Sequence, residues 1–139
     1  MASPHESDNL ATALRYIALI EQFAEPAAFE GILHPDALLE EYPNLLMKHG
    51  SRRDYAALIA GPQQGRKILS DNRYEVTNAF ASGDWVTVEM VWTGTLAIPL
   101  GNMPAGAQLE AHIATILRFQ DSMIISQRQY DCYKPLPEA

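Results

Sequence analysis

The stretch "DWVTVEMVWTGTLAI", residues 84–98, decides the fold class. In an extended chain Val86, Val88, Met90 and Trp92 share one face, and Trp85, Thr87, Glu89 and Val91 the other. The first set is uniformly apolar, which predicts a strand with one covered face. Three more stretches have the same two-residue period: "RYEVTNAF" (73–80), "AQLEAHIATILRF" (107–119) and "MIISQRQYD" (123–131). In the second of these, Ile113, Thr115, Leu117 and Phe119 form the apolar set, and Glu110, His112, Ala114, Ile116 and Arg118 the mixed one. Ser82-Gly83-Asp84 and Gln120-Asp121-Ser122 have the chemistry of tight hairpin turns, and "PLGNMPAGA" (99–107) that of a longer loop. The last strand is unusual. Strict alternation puts Ile125, Gln127, Gln129 and Asp131 on one face, with Ile124, Ser126, Arg128 and Tyr130 opposite. Two amides and a carboxylate in line need either water or a pocket.

Before residue 71 the period is helical. Asp8 is placed to cap a helix through "LATALRYIALIEQFA", where Leu10, Leu14, Ile17 and Ile20 make one buried stripe. Pro26 suits the first turn of a short helix, "PAAFEGIL". "HPDALLEEYP" reads as a turn and a short strand stopped at Pro43. Ser51 is positioned to cap "RRDYAALIA", broken at Gly61-Pro62, and "QQGRKILSD" reads as a further helical piece. Helices followed by a meander of strands predict an α+β domain, with helices on one face of an antiparallel or mixed sheet. Residues 1–8 read as a disordered tail and 9–139 as a single domain.

Composition narrows the function. The chain has 139 residues, a formal net charge of −7 and no cluster of Lys or Arg, which argues against nucleic acid or an anionic membrane surface as partner. One cysteine, Cys132, permits no internal disulfide; with no signal-peptide pattern and no apolar run of about 20 residues, a soluble cytoplasmic protein is expected. The histidines at 5, 34, 49 and 112 lack paired ligand spacing, so no metal is expected, and "GPQQG" lacks the Lys-Ser/Thr of a phosphate loop. On the outer sheet face Trp85, Val91, Ile116, Ile124 and Tyr130 amount to a large apolar surface, which predicts a homodimer through that face.

Several segments carry a family resemblance. "RYIALIEQFAEPAAFEGILHPDALLEEYP" resembles the opening of a ketosteroid isomerase. "HPDAL", "GDWVTVEMVWTGTL", "PAGAQLEAHIATILRFQDSMI" and the ending "RQYD" resemble SnoaL-like polyketide cyclases. Both belong to the nuclear transport factor 2-like superfamily, whose cone-shaped (cystatin-like) fold holds a pocket between helices and sheet. The resemblance covers nearly the whole chain and implies the fold more strongly than the reaction. By the isomerase comparison Tyr16 falls at the oxyanion-hole tyrosine, Glu41 at the general base and Thr115 at the protonated acid, where it is a weaker donor. By the cyclase comparison the acid/base histidine and aspartate align with Thr115 and Gln129, so neither ionisable group is present there. The Asp-Arg-Asp set of limonene epoxide hydrolases has no counterpart, since alternation turns Arg118 and Arg128 outward.

The candidate site follows from both lines. Asp131 is the foremost carboxylate, one rung beyond Gln129, with Glu41 as the other possible base and Tyr16 as an oxyanion donor. Thr115, Gln127, Gln129, Met90, Trp92, Val88 and Phe119 are expected to contact substrate as the inward side of the sheet. His34 and His112 read as a turn residue and an outer-face residue. Two functions fit. One is cofactor-independent proton transfer on a small apolar or aromatic carbonyl compound, of isomerase, cyclase or dehydratase type. The other is a non-catalytic ligand binder or dimeric interaction protein.

Overall fold

The structure, a computed structural model, describes residues 3–137. Its elements are α1 (Pro4–Glu21), a 3-10 turn (Pro26–Phe29), β1 (Leu33–Glu41), β2 (Ser51–Arg53), α2 (Tyr55–Arg66), β3 (Leu69–Ser82), β4 (Trp85–Leu96), β5 (Gln108–Gln120) and β6 (Met123–Tyr133). The strands form one sheet in the order β2-β1-β6-β5-β4-β3. Every pairing is antiparallel except β1 with β6, where Leu39 stands beside Gln127 and Glu41 beside Gln129. Both helices pack on the concave face. Among the described residues no helix is long and apolar enough to cross a membrane.

The alternation of the central strands appears in their burial. Val86, Val88, Met90 and Trp92 are buried, as are Ile113, Thr115, Leu117 and Phe119 on β5. They meet Ala13, Tyr16 and Ile17 of α1 in one core. Burial of this apolar face is what holds the helices on the sheet.

Five local expectations are corrected. Residues 3–8 are not a tail: Ser3 and Glu6 form a capping box around Pro4, so α1 begins there and Asp8 lies inside it. Residues 1 and 2 lie outside the described residues. The helix expected from Pro26 is one 3-10 turn, because Gly31 at φ 77 turns the chain into β1. Ser51 belongs to β2, and Asp54 caps α2 by accepting from the Ala57 N–H at 3.0 Å. That helix runs through Gly61-Pro62 to Arg66, Pro62 being buried against the core side. The fifth correction is on β6. A bulge between the Arg118–Ser126 and Phe119–Ile124 pairs changes the side-chain phase, so Ile124 turns into the core and leaves the outer face.

Gly50 closes the loop between β1 and β2 at φ 69, and a Cβ there would run into the Glu41 carbonyl oxygen. Gly50→Ala is therefore expected to cost about 2 kcal/mol or more. A thermal melt followed by circular dichroism should show a Tm lower by roughly 4–8 °C.

Candidate functional site

A cavity of about 440 Å³ lies between the concave sheet and the two helices. Leu39, Leu69, Leu96, Leu109 and Ile113 with the rings of Phe23 and Trp92 make most of its wall apolar. The polar groups collect on one side: Glu41 from β1, Arg53 from β2, and Gln127, Gln129 and Asp131 from β6. They converge because β6 places residues two apart on one face, and the parallel register sets Glu41 beside Gln129.

Those β6 side chains form a directed hydrogen-bond chain. Tyr16 Oη donates to Gln127 Oε1 at 2.6 Å. Gln127 Nε2 donates to Thr115 Oγ1 at 3.2 Å and to Gln129 Oε1 at 3.0 Å. Gln129 Nε2 then donates to both Asp131 oxygens, at 3.1 and 3.3 Å. The bonds from Tyr16 through Gln127 and Gln129 all point towards the carboxylate, with one side branch to Thr115. Glu41, 8% exposed, has its own support: Asn44 Nδ2 donates to Oε2 at 2.9 Å, Ser51 Oγ to Oε1 at 3.3 Å, and the Arg53 guanidinium is 3.7 Å from Oε1.

Asp131 titrates differently from a surface aspartate. Burial is the largest influence and pushes its pKa up to about 6, opposed by the Gln129 amide and reinforced by Glu41. Burial also pushes the hydroxyls of Tyr16, Tyr74 and Tyr133 above the usual phenol range, so all three stay protonated donors near neutrality. On β4 the Trp92 indole N–H donates to Asn72 Oδ1, whose amide donates to the Ile20 carbonyl at 3.1 Å, tying this wall to the end of α1. Gly94 is required beneath it, since a Cβ would stand 2.6 Å from the Trp92 ring.

The expected residues divide into two groups. Tyr16, Glu41, Trp92, Gln127, Gln129 and Asp131 all line the cavity. Val88, Met90, Phe119 and Thr115 do not, although all four are buried on the inward face of the sheet. Thr115 serves the hydrogen-bond chain instead, accepting from Gln127 and donating to the Arg128 carbonyl at 3.4 Å. Tyr16 reaches the cavity with its proton already committed to Gln127. His112 is exposed on the outer face, and His34 Nδ1 accepts from the Asp36 N–H at 3.0 Å as a turn residue would. Arg53, Tyr74 and Tyr133 also line the cavity and were not anticipated. Alternation from Asp131 could have indicated Tyr133, and the pairing of "RYEV" with "MVW" could have indicated Tyr74. For Arg53 no local signal exists. Among the described residues no three His, Cys, Asp or Glu side chains come together in a metal-binding group.

The family model of the SnoaL-like domain matches residues 13–127. Among solved structures, a candidate SnoaL-like polyketide cyclase from Jannaschia sp. CCS1 superposes with a TM-score of 0.77 at 21% identity, over 94% of this chain and 90% of that one. A candidate hydroxylase from Streptomyces galilaeus gives 0.75 at 19%, over 94% and 82%. An NTF2-like protein from Burkholderia xenovorans LB400 gives 0.70 at 16%, over 91% and 90%. No curated protein sequence matches the chain. At these identities the structural likeness establishes the nuclear transport factor 2-like cone and leaves the reaction open.

Asp131 also gives the fold a pH dependence. Its folded-state pKa lies above the unfolded value near 3.9, at about 6. The protonated form is thus favoured by folding, and its stability contribution is complete below about pH 4 and is lost as pH rises through about 6. Asp131→Asn keeps the acceptor for Gln129 and removes the ionisation cost. At pH 7.5 the variant should be more stable than the parent by about 1–2 kcal/mol after allowing for solvent screening. Urea unfolding at pH 4 should show the two nearly equal.

Proposed function

Because the chain belongs to the SnoaL-like domain family, we propose that its cavity binds a small, largely apolar or aromatic carbonyl compound and moves a proton on the carbon next to the carbonyl. The observation that carries this reading is Asp131: a half-buried carboxylate at the edge of an apolar cavity, with a pKa near 6 and a fixed orientation from Gln129. A base with that affinity for protons accepts one from an activated C–H and can return it near neutral pH. The Glu41 charge, locked by Asn44, Ser51 and Arg53, helps keep the Asp131 proton affinity high. Glu41 is a positioning residue in this scheme rather than the base, since Asn44, Ser51 and Arg53 already hold its carboxylate in place. Proton transfer of this kind is redox-neutral and calls for no organic cofactor.

A second reading has one observation in its favour. Tyr16 is engaged with Gln127 and Thr115 lies off the cavity, so neither donor expected from the isomerase comparison is free to receive a developing oxyanion. On this reading the cavity binds a ligand without turning it over. Deuterium exchange into cyclic and aryl ketones, followed by NMR in D2O, separates the two. The parent should accelerate exchange with a rate that rises through an apparent pKa near 6, and Asp131→Asn should lose at least about 100-fold. Exchange no faster than buffer across such a panel, with ketone binding retained, would establish the binder.

The outer face belongs to the same proposal. Trp85 is 39% and Tyr130 40% exposed, Tyr130 stacks on Tyr42 at 4.7 Å, and Arg128 lies 5.3 Å over the Trp85 ring. Phe80, at 51%, extends this patch along β3. A second copy of the chain would cover it. Sedimentation equilibrium at micromolar concentration should give a dimer mass, and Trp85→Glu should lower it to that of a monomer.

A further inference from the structure

Two side chains of the cavity wall, Tyr74 and Tyr133, are left free by the hydrogen-bond chain. We infer that the hydroxyls of Tyr74 and Tyr133 receive the ligand's oxygen, making the site one for compounds that pass through an enolate or carry a phenol-type oxygen. The inference rests on the reading of Asp131 as the base.

The sheet register brings the groups together. Tyr133 is two residues after Asp131 on the same strand face, so their Cα atoms are roughly 7 Å apart. Tyr74 pairs with Trp92, Trp92 with Ala111, and Ala111 with Tyr133, which makes one cross-strand row over β3, β4, β5 and β6. Ala111 is the small member of that row and leaves space between the rings. The next row along the sheet runs Val76, Met90, Ile113, Asp131. Tyr74, Tyr133 and Asp131 all line the cavity.

Both tyrosines are held by their surroundings and not through their hydroxyls. Tyr133 meets the Trp92 ring edge-on, with centroids 6.1 Å apart at 83°, and the Trp92 N–H is tied to Asn72. The Tyr74 backbone N–H donates to Glu21 Oε2 at 2.7 Å. Among the described residues neither hydroxyl has a hydrogen-bond partner, and neither is sealed from the cavity as an orphaned buried atom. After burial, the Asp131 charge is the next cause raising the proton affinity of each hydroxyl, which places all three in one electrostatic neighbourhood. Tyr16 shares the cavity but has spent its proton.

The step balances within the site. Asp131 takes the proton as the C–H bond breaks, and that electron pair becomes the new C=C bond while the carbonyl π pair moves to oxygen. Hydroxyl donors aimed at this oxygen stabilise the enolate more than the ketone, since the charge there grows. The protonated Asp131 returns its proton to carbon and the carbonyl re-forms.

Substituted phenols, whose oxygen imitates the enolate oxygen, test the assignment in Asp131→Asn, where the neutral amide stands for the protonated base. Calorimetry should show phenol binding that strengthens with phenol acidity. Tyr74→Phe and Tyr133→Phe, each added to that background, should weaken it roughly tenfold. The ring volumes are kept, and 3-fluorotyrosine incorporated at 74 or 133 supplies a second measurement: its ¹⁹F signal should move when phenol is added. Phenol affinity within twofold of the Asp131→Asn protein in both Phe variants, or ¹⁹F signals that stay put on saturation, would overturn the tyrosine assignment alone. Failure of every phenol to bind, together with no ketone exchange by the parent, would overturn the Asp131 reading and this inference with it.

Discussion

Two carboxylates facing one apolar cavity are the constraint around which this site is built. An ionised group moved out of water loses several kcal/mol unless partners replace the solvent. Glu41 is given those partners by the loop between β1 and β2: an amide from Asn44, a hydroxyl from Ser51 and the guanidinium of Arg53. Asp131 is given less, the single amide of Gln129. The inequality makes Asp131 the carboxyl whose proton affinity burial raises, an effect that full solvation would remove. The parallel pairing of β1 with β6 makes this possible, because it sets Glu41 beside Gln129 in the row of β6 side chains.

The same constraint explains the polar run along β6. A lone aspartate on the inner face of a strand would leave its neighbours' space to apolar side chains and lose its hydrogen bonds. Gln127 and Gln129 instead pass a consistent direction of donation from Tyr16 to Asp131. Amide N–H groups donate without releasing protons at neutral pH, so this chain orients and polarises rather than conducting protons. Tyr16 is accordingly an anchor for the chain. That is a different role from the oxyanion donor that its place in α1 implied, and the difference comes from having Gln127 where it can accept.

The sequence made the central sheet legible because β4 and β5 are covered on one face and wetter on the other. Val86 to Trp92 and Ile113 to Phe119 therefore alternate without interruption. The features that could not be read depend on pairing rather than on local pattern. The β6 bulge sends both Ile124 and Gln127 inward although they are an odd number of residues apart, and nothing in "MIISQRQ" announces it. The strand Ser51–Arg53 is held by Glu41 and Leu39 across a ladder, so its residues look like a helix start when taken alone. Arg53 enters the site only through that pairing. At the N-terminus polarity masks the signal: Ser3-Pro4-His5-Glu6 is a capping box in composition, but the apolar helix period starts only at Leu10.

Much the same division holds within the site. Asp131, Gln127, Gln129 and Glu41 could be assigned to the cavity because face and order suffice when a strand stays in register. Depth could not. Thr115 and Val88, Met90 and Phe119 lie on the inward face as expected, yet they are buried among their neighbours and do not line the cavity. The cavity wall includes Tyr74, Trp92 and Tyr133, where Gly94 leaves room for the Trp92 ring and Ala111 is the small member of the row. Two small residues thus leave room for the rings on one part of the inward face. An aligned position on this fold names a side chain's direction, and the packing of its neighbours determines whether that direction leads into the cavity or into the core.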